Sequence, residues 1–489
     1  MVTAVSALDL KEPTINHGKP NGLHWFTAAL FLIADLAGDG IVAFPVAMAR
    51  AGERFHNYST LDILVKIEGT LGGTIAITLL AVAFCYTACI LSNNWIIMCS
   101  RWSVYSKHCR KPYPEMAYRA IGKKARHCFF SNLFIIFYFK SLCSFILNII
   151  FFGVAVVFCL LASYIINDFI ISITNHDIGF CYVLLLVTLA IYPVTLLRSP
   201  QDFWWAAVLA MLTTSFSAIL IISGSWLDFN KYSNSTVSGN KSIHFDAVIA
   251  SLGTFMFGLG GHVVFPSIQH DMRYPNQFKR SVIFAFAAVV LIYLSVSLPS
   301  NAAYGNSLHD SVISSVQTGW IRQCANLLIA VHCTLTFIIV INPLNQEMEN
   351  LVNAPHHFGW HRVVIRTIVI LAVLFVAETI PKFGPVLNVI GGSTVGLTSA
   401  LLPLLFNNYL NASAHDSTAD AYIRPTFMQV LQRNSKSKLL IDFTITVISI
   451  IFGMTTTYLS VIEIASTNFT KPCYLSSVEN VPRNISVGA

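Results

Sequence analysis

Long apolar runs recur along this chain of 489 residues, and two of them, about half a chain apart, are interrupted by nearly the same hexapeptide: Gly40-Ile41-Val42-Ala43-Phe44-Pro45 and Gly261-His262-Val263-Val264-Phe265-Pro266. A run of roughly 20 apolar residues crosses a bilayer as a helix. Hydrocarbon offers no water to unpaired backbone groups, so glycine and proline inside such a run mark a helix broken where protein or a cavity surrounds it, or a place of close helix packing. Corresponding breaks in two halves of a chain point to discontinuous helices whose freed amides and carbonyls hold a solute and a coupling ion near the midplane.

Composition agrees with a polytopic membrane protein: 55% of residues are hydrophobic and 11% charged, with a mean hydropathy of +0.65, outside the range of soluble domains. Spans are expected at 24–50, 72–97, 131–164, 179–197, 203–226, 246–268, 280–300, 321–342, 362–380, 385–409 and 439–464, eleven in all. The first twenty residues are polar, with Lys11, Glu12 and Lys19, and show no cleaved signal peptide. Placing the N-terminus inside puts 20 Lys and Arg on cytoplasmic segments and 9 on the opposite side, as the positive-inside rule requires. The net charge of +7 lies in connecting loops rather than in a basic stripe with aromatics, so nucleic acid is not an expected partner; the lipid bilayer is.

The expected organisation is a cytoplasmic tail (1–23), a first five-helix repeat (24–226), an outer loop (227–245), a second five-helix repeat (246–409), a cytoplasmic loop (410–438), helix eleven (439–464) and an outer tail (465–489). Asn-X-Ser/Thr triplets at Asn234, Asn240, Asn468 and Asn484 fall on the outer side and are glycosylation candidates, whereas Asn411 faces inward and is expected bare. Of the 11 cysteines, Cys85, Cys89, Cys143 and Cys159 sit in spans as small apolar residues. Cys181, Cys324 and Cys473 lie near the outer face; a Cys181–Cys324 bridge is the preferred pairing, with three free thiols as the alternative.

Helices one to five and six to ten form two halves of opposite orientation, helix one running inside to outside and helix six outside to inside, and such an inverted repeat brings the two breaks together. There, helix N-termini favour a carboxylate and free carbonyls an ammonium or cation, an arrangement that suits a zwitterionic amino acid. The segments Ala37-Gly38-Asp39-Gly40-Ile41-Val42-Ala43-Phe44-Pro45 and Gly260-Gly261-His262-Val263-Val264-Phe265-Pro266-Ser267-Ile268-Gln269-His270-Asp271-Met272, with Asn342-Pro343-Leu344-Asn345-Gln346, resemble the amino acid/auxin permease family of the amino acid-polyamine-organocation superfamily. That family groups vesicular, proton-coupled and sodium-coupled neutral amino acid transporters. The resemblance covers about residues 20–465. It implies an all-α leucine-transporter-type 5+5 inverted repeat plus one helix, with substrate between helices one, three, six and eight. Asp39 departs from a usually small residue at its position.

Substrate contacts are therefore expected from Gly38, Asp39, Gly40, Ile41, Phe257, Gly258, Gly260 and Gly261, with helix packing as the alternative use of the glycines. Titratable groups within spans and away from their ends are Asp35, Asp39, Lys140, His262 and His332. A charge there costs at least ~2.5 kcal/mol, so such groups line cavities or pair with one another. Asp35, Asp39 and His262 are the candidate proton carriers; capping of freed backbone is the other use for Asp35 and His262. Lys140 is expected deep in helix three and paired, and His332 as a satisfied interior residue. Thr334 and Thr336 are candidate sodium oxygens, although hydroxyls in spans commonly bond their own backbone.

No Gly-rich Lys-Ser/Thr nucleotide motif is present, so an ion gradient is the expected energy source and no enzymatic activity, metal or organic cofactor is expected. The function implied is proton-coupled secondary transport of small or neutral amino acids. The alternatives are sodium symport and an amino-acid-sensing receptor. The outer glycosylation sites suit a plasma membrane and an endolysosomal or vesicular membrane equally.

Overall fold

The computed structural model describes residues 22–38, 40–51, 62–106, 109, 111–122, 139–196, 204–232, 245–309, 311–354, 359–416, 421–466 and 473. The elements are α1 (Trp25–Leu36), α2 (Gly40–Ala51), α3 (Asp62–Arg101), α4 (Pro112–Ala120), α5 (Phe139–Thr174), α6 (Phe180–Thr195), α7 (Trp204–Tyr232), α8 (Phe245–Gly258) and α9 (Phe265–His270). They continue with α10 (Phe278–Tyr304), α11 (Val312–Ser315), α12 (Gly319–Leu351), α13 (Trp360–Thr379), α14 (Phe383–Ile390) and α15 (Leu402–Ala412). A hairpin of β1 (Ala414–Asp416) and β2 (Ala421–Ile423), then α16 (Phe427–Arg433) and α17 (Lys436–Ser466), completes the order.

Among the described residues, eight helices are long and apolar enough to cross a membrane, and α1 and α2 form a further apolar pair bent by 55°. Helix α6 is apolar but shorter, at 16 residues. The helix α5 runs through the middle of the molecule, packed on α12, α6, α13 and α14. By contrast α17 exposes Leu440, Phe443, Ile451, Met454 and Tyr458, side chains suited to lipid. The span from α14 to α15 passes through two π-helical turns, Gly391–Val395 and Leu397–Leu401, a geometry that concentrates at functional sites.

Two polar ties hold helix ends. The fully buried Arg366 of α13 donates from Nε to Glu349 Oε1 of α12 at 2.7 Å and from a terminal nitrogen to Thr195 O of α6 at 2.6 Å; Arg362 stands 3.2 Å from the same carboxylate oxygen. A charge-assisted contact of this kind fixes the orientation of three helix ends. On the same side, Leu23 N donates to Asp271 O and Arg273 N donates to Leu23 O, both at 2.9 Å. These bonds strap the start of α1 to the end of α9.

Two expectations need correction. Helix three was expected over 131–164; its described part begins at Phe139 and runs on to Thr174, and 131–138 lie outside the described residues. Lys140, expected to be paired, forms an ion pair with Glu115 of α4. The second correction concerns the disulfide: Cys181 bridges Cys473, Cα to Cα 5.4 Å, while Cys324 is free and exposed on α12. An outer helix end gives a cysteine's depth but not the direction its side chain faces. The glycosylation candidates Asn234, Asn240, Asn468 and Asn484 lie outside the described residues; Asn411 is in the last turn of α15, its amide donating to Asn407 Oδ1 at 2.9 Å.

Candidate functional site at the helix breaks

The two matching hexapeptides fold differently. In the first, α1 ends at Leu36 and α2 begins at Gly40, so the break precedes the motif and Pro45 lies inside α2. Proline there removes an intrahelical bond. Asn301 of α10 donates from its side chain to the carbonyl of Pro45 at 2.9 Å. In the second, α8 ends at Gly258 and α9 begins at Phe265, so the motif itself is the break and Pro266 takes the first turn of a helix, where its missing N–H costs nothing.

The breaks meet in the core. The carboxyl of Asp35 lies against Gly261, so a side chain at that position would run into it. Tyr293 of α10, fully buried, donates its hydroxyl to Leu36 O at the end of α1 and to Gly258 O, 3.0 Å away, at the end of α8. Its ring packs on Phe44, centroids 4.0 Å apart, and Phe44 in turn packs on Phe255 at 5.1 Å. The glycines Gly38, Gly40, Gly258, Gly260 and Gly261, with Ile41, lie at or beside the two breaks. The space their missing side chains leave is taken by neighbours: the His332 ring at Gly38, the Tyr293 hydroxyl at Gly40, Phe44 at Gly258 and Val395 of the π turn at Gly260. Phe257 is buried, and its carbonyl accepts from Gly260 N at 3.1 Å. Asp39 lies outside the described residues.

Each break has a buried histidine at it, His262 within the second and His332 of α12 packed against the first. His262 Nε2 is 3.1 Å from Phe84 O and 3.0 Å from Thr87 Oγ1, both on α3, and its ring stacks on Phe265. Since a carbonyl only accepts, the proton sits on Nε2 and points at α3. His332 of α12 places Nδ1 3.1 Å from Ala210 O and 2.6 Å from Thr214 Oγ1 on α7, with Thr336 Oγ1 3.2 Å from Nε2. The same logic puts its proton on Nδ1. Thr334 donates to Ala330 O of its own helix at 2.8 Å. Tyr293 and the contact of His332 with Gly38 were not singled out from sequence. A hydroxyl or imidazole in mid-span is the signal that could have found them.

Beside the first break, Ala37, Ile41, Thr214 and Ile292 line a slot of only about 10 Å³. A cavity of about 200 Å³ lies further along α2 and α8, between Ala47, Tyr164, Thr254 and Asn388, with Arg50, Lys382 and Glu463 in its walls. Phe180, next to the disulfide cysteine Cys181, also lines it, so the cavity opens at the end of the molecule that carries the bridge.

Such a bundle, with two breaks packed together at its centre, defines a multi-pass helical membrane protein of leucine-transporter type. Its fold is similar to that of the solved inward-facing conformation of Mhp1, with a TM-score of 0.50 at 12% identity over 93% of this chain and 91% of that one. Residues 65–435 match the family described as transmembrane amino acid transporter protein, and the chain belongs to that family. Amino acid transporter AVT1C of Arabidopsis thaliana is 23% identical over 221 residues, 45% of this chain and 40% of that protein. Lysine histidine transporter-like 6 of the same plant is 30% identical over 168 residues, 32% of this chain and 38% of that protein. The alignments thus span less than half the length of either relative.

Proposed function

We propose that the chain is a secondary carrier of amino acids, driven by protons, that works by alternating access around the two breaks. The observation that carries this reading is the meeting of the ends of α1 and α8 through Tyr293, with the Asp35 carboxyl against Gly261. It places freed carbonyls and a carboxyl in one buried spot, the groups that hold an ammonium and a coupling ion. Family membership and the names of the relatives support amino acids as the substrate class.

The slot at the first break has no room for an amino acid, so entry requires the surrounding helices to part. The 200 Å³ cavity reaches toward the breaks from the disulfide end. At the other end, α1 and α9 are strapped by backbone bonds and move together. Rocking of this pair would expose the breaks to one side and then the other. Disulfides persist in oxidising compartments, which supports an outer location for the Cys181–Cys473 end and a cytoplasmic N-terminus. Eleven crossings follow if the bent α1–α2 pair, α6 and the α8–α9 pair each count with the eight long helices.

The test is uptake of labelled neutral amino acids into proteoliposomes under an imposed pH or sodium gradient. Accumulation with the pH gradient alone is expected. Accumulation only with sodium would reassign the ion, and saturable binding without flux would make the protein a receptor.

A further inference from the structure

The last carbonyls of a helix have no intrahelical donor and carry the negative end of its dipole. Here two such ends, Leu36 of α1 and Gly258 of α8, converge on one point in the buried core. Half-helix C-terminal carbonyls that converge in this way coordinate cations in broken-helix carriers. The point is filled by the hydroxyl of Tyr293, which offers one proton to two carbonyls. Glycines make the approach possible: a side chain at Gly40 would overlap the hydroxyl and ring of Tyr293, and one at Gly258 would overlap Phe44, which packs on that ring.

We infer that the Tyr293 hydroxyl is a built-in occupant of the cation position between the two broken helices, so that the resting protein holds no alkali ion there. The inference rests on the breaks being the centre of the carrier. Tyr293 acts as a specificity-determining residue: it gives both carbonyls a neutral donor and leaves them to a cation only when the ring withdraws. Once the hydroxyl is gone, the two carbonyl oxygens are left to contribute two hard ligands to a small monovalent ion.

The test is thermal unfolding of the purified full chain in detergent, without amino acid, in sodium, lithium or N-methylglucamine chloride at equal ionic strength. The wild type is expected to melt at the same temperature in all three. Tyr293→Phe, which keeps the ring and removes the hydroxyl, is expected to gain a saturable rise of about 2–4 °C in sodium, the size expected of a ligand that binds only the folded state. Tyr293→Leu, which also lacks the hydroxyl, should respond in the same direction. Equal sodium stabilisation of the wild type would overturn the inference, as would indifference to sodium in whichever variant retains a cooperative unfolding transition. Because no amino acid is present, the result stands apart from uptake: a carrier with an unresponsive Tyr293→Phe refutes only this inference, and absent uptake refutes only the transport reading.

Discussion

The first break and the second share a sequence but not a surrounding. At the first, the gap is closed from outside by His332 of α12 and Tyr293 of α10, which fill the places left by Gly38 and Gly40. At the second, the gap reaches outward: His262 grips Phe84 and Thr87 of α3, and the loop carries its own turn bonds, Gly260 N to Phe257 O and Val264 N to Gly261 O. The first break is plugged; the second, though Phe44 and Val395 fill the space at Gly258 and Gly260, is also anchored to α3. The difference teaches that glycine in such a motif permits close approach, while the packing partner decides whether substrate, side chain or backbone uses the space.

The largest effect is expected where the two breaks touch. Gly261→Leu drives a side chain into the Asp35 carboxyl and Phe265, and should abolish uptake by reconstituted protein. Uptake within twofold of wild type would show that the breaks need not stay in contact. A smaller loss is expected at the plugged break. Gly38→Ala places a methyl in the His332 ring, an overpacking worth about 1–3 kcal/mol, and His332→Ala in the same chain should recover most of the melting temperature lost. Additive losses in the double variant would mean that His332 does not fill that space.

Asp35→Asn sharpens the comparison differently, since its carboxyl belongs to the first broken helix and lies on the second. An amide keeps the shape and some hydrogen bonds but cannot release a proton. Proton-driven accumulation should fall about tenfold or more, equivalent to ~1.4 kcal/mol, while exchange of substrate down its own gradient falls less. Full accumulation on a proton gradient would pass the role to Asp39 or His262. The last pair of effects leaves transport aside and concerns the disulfide end: Cys473→Ser or Cys181→Ser should lower stability by about 2–4 kcal/mol, with no further loss in the double variant, and Cys324→Ser should change nothing. A band shift of Cys324→Ser alone on non-reducing gels would contradict the pairing.

The class of fold and the existence of both breaks were legible because bilayer length and glycine-proline interruption are local properties of a sequence. The occupants were not. Tyr293 and His332 sit in helices seven and eight of the expected order, and nothing along the chain indicates which face of those helices meets Gly40 or Gly38. The partner of Lys140 was hidden for a related reason: Glu115 sits on a separate short helix, and nothing along the chain joins the two. The buried Arg366–Glu349 contact also escaped notice, since each residue taken singly reads as a loop-facing charge at a helix end. Motif matching further implied equal geometry for the two hexapeptides, whereas Pro45 is inside a helix and Pro266 starts one.

The central claim is that both breaks form a single site for an amino acid, and equilibrium binding tests it without the complications of flux. Saturable binding of labelled neutral amino acids to purified wild-type protein should be lost in Gly40→Leu, which collides with Tyr293, and equally in Gly260→Leu, which collides with Val395 and the backbone of α8. Circular dichroism and melting would verify that each variant is folded. Wild-type affinity in either folded variant would contradict the account.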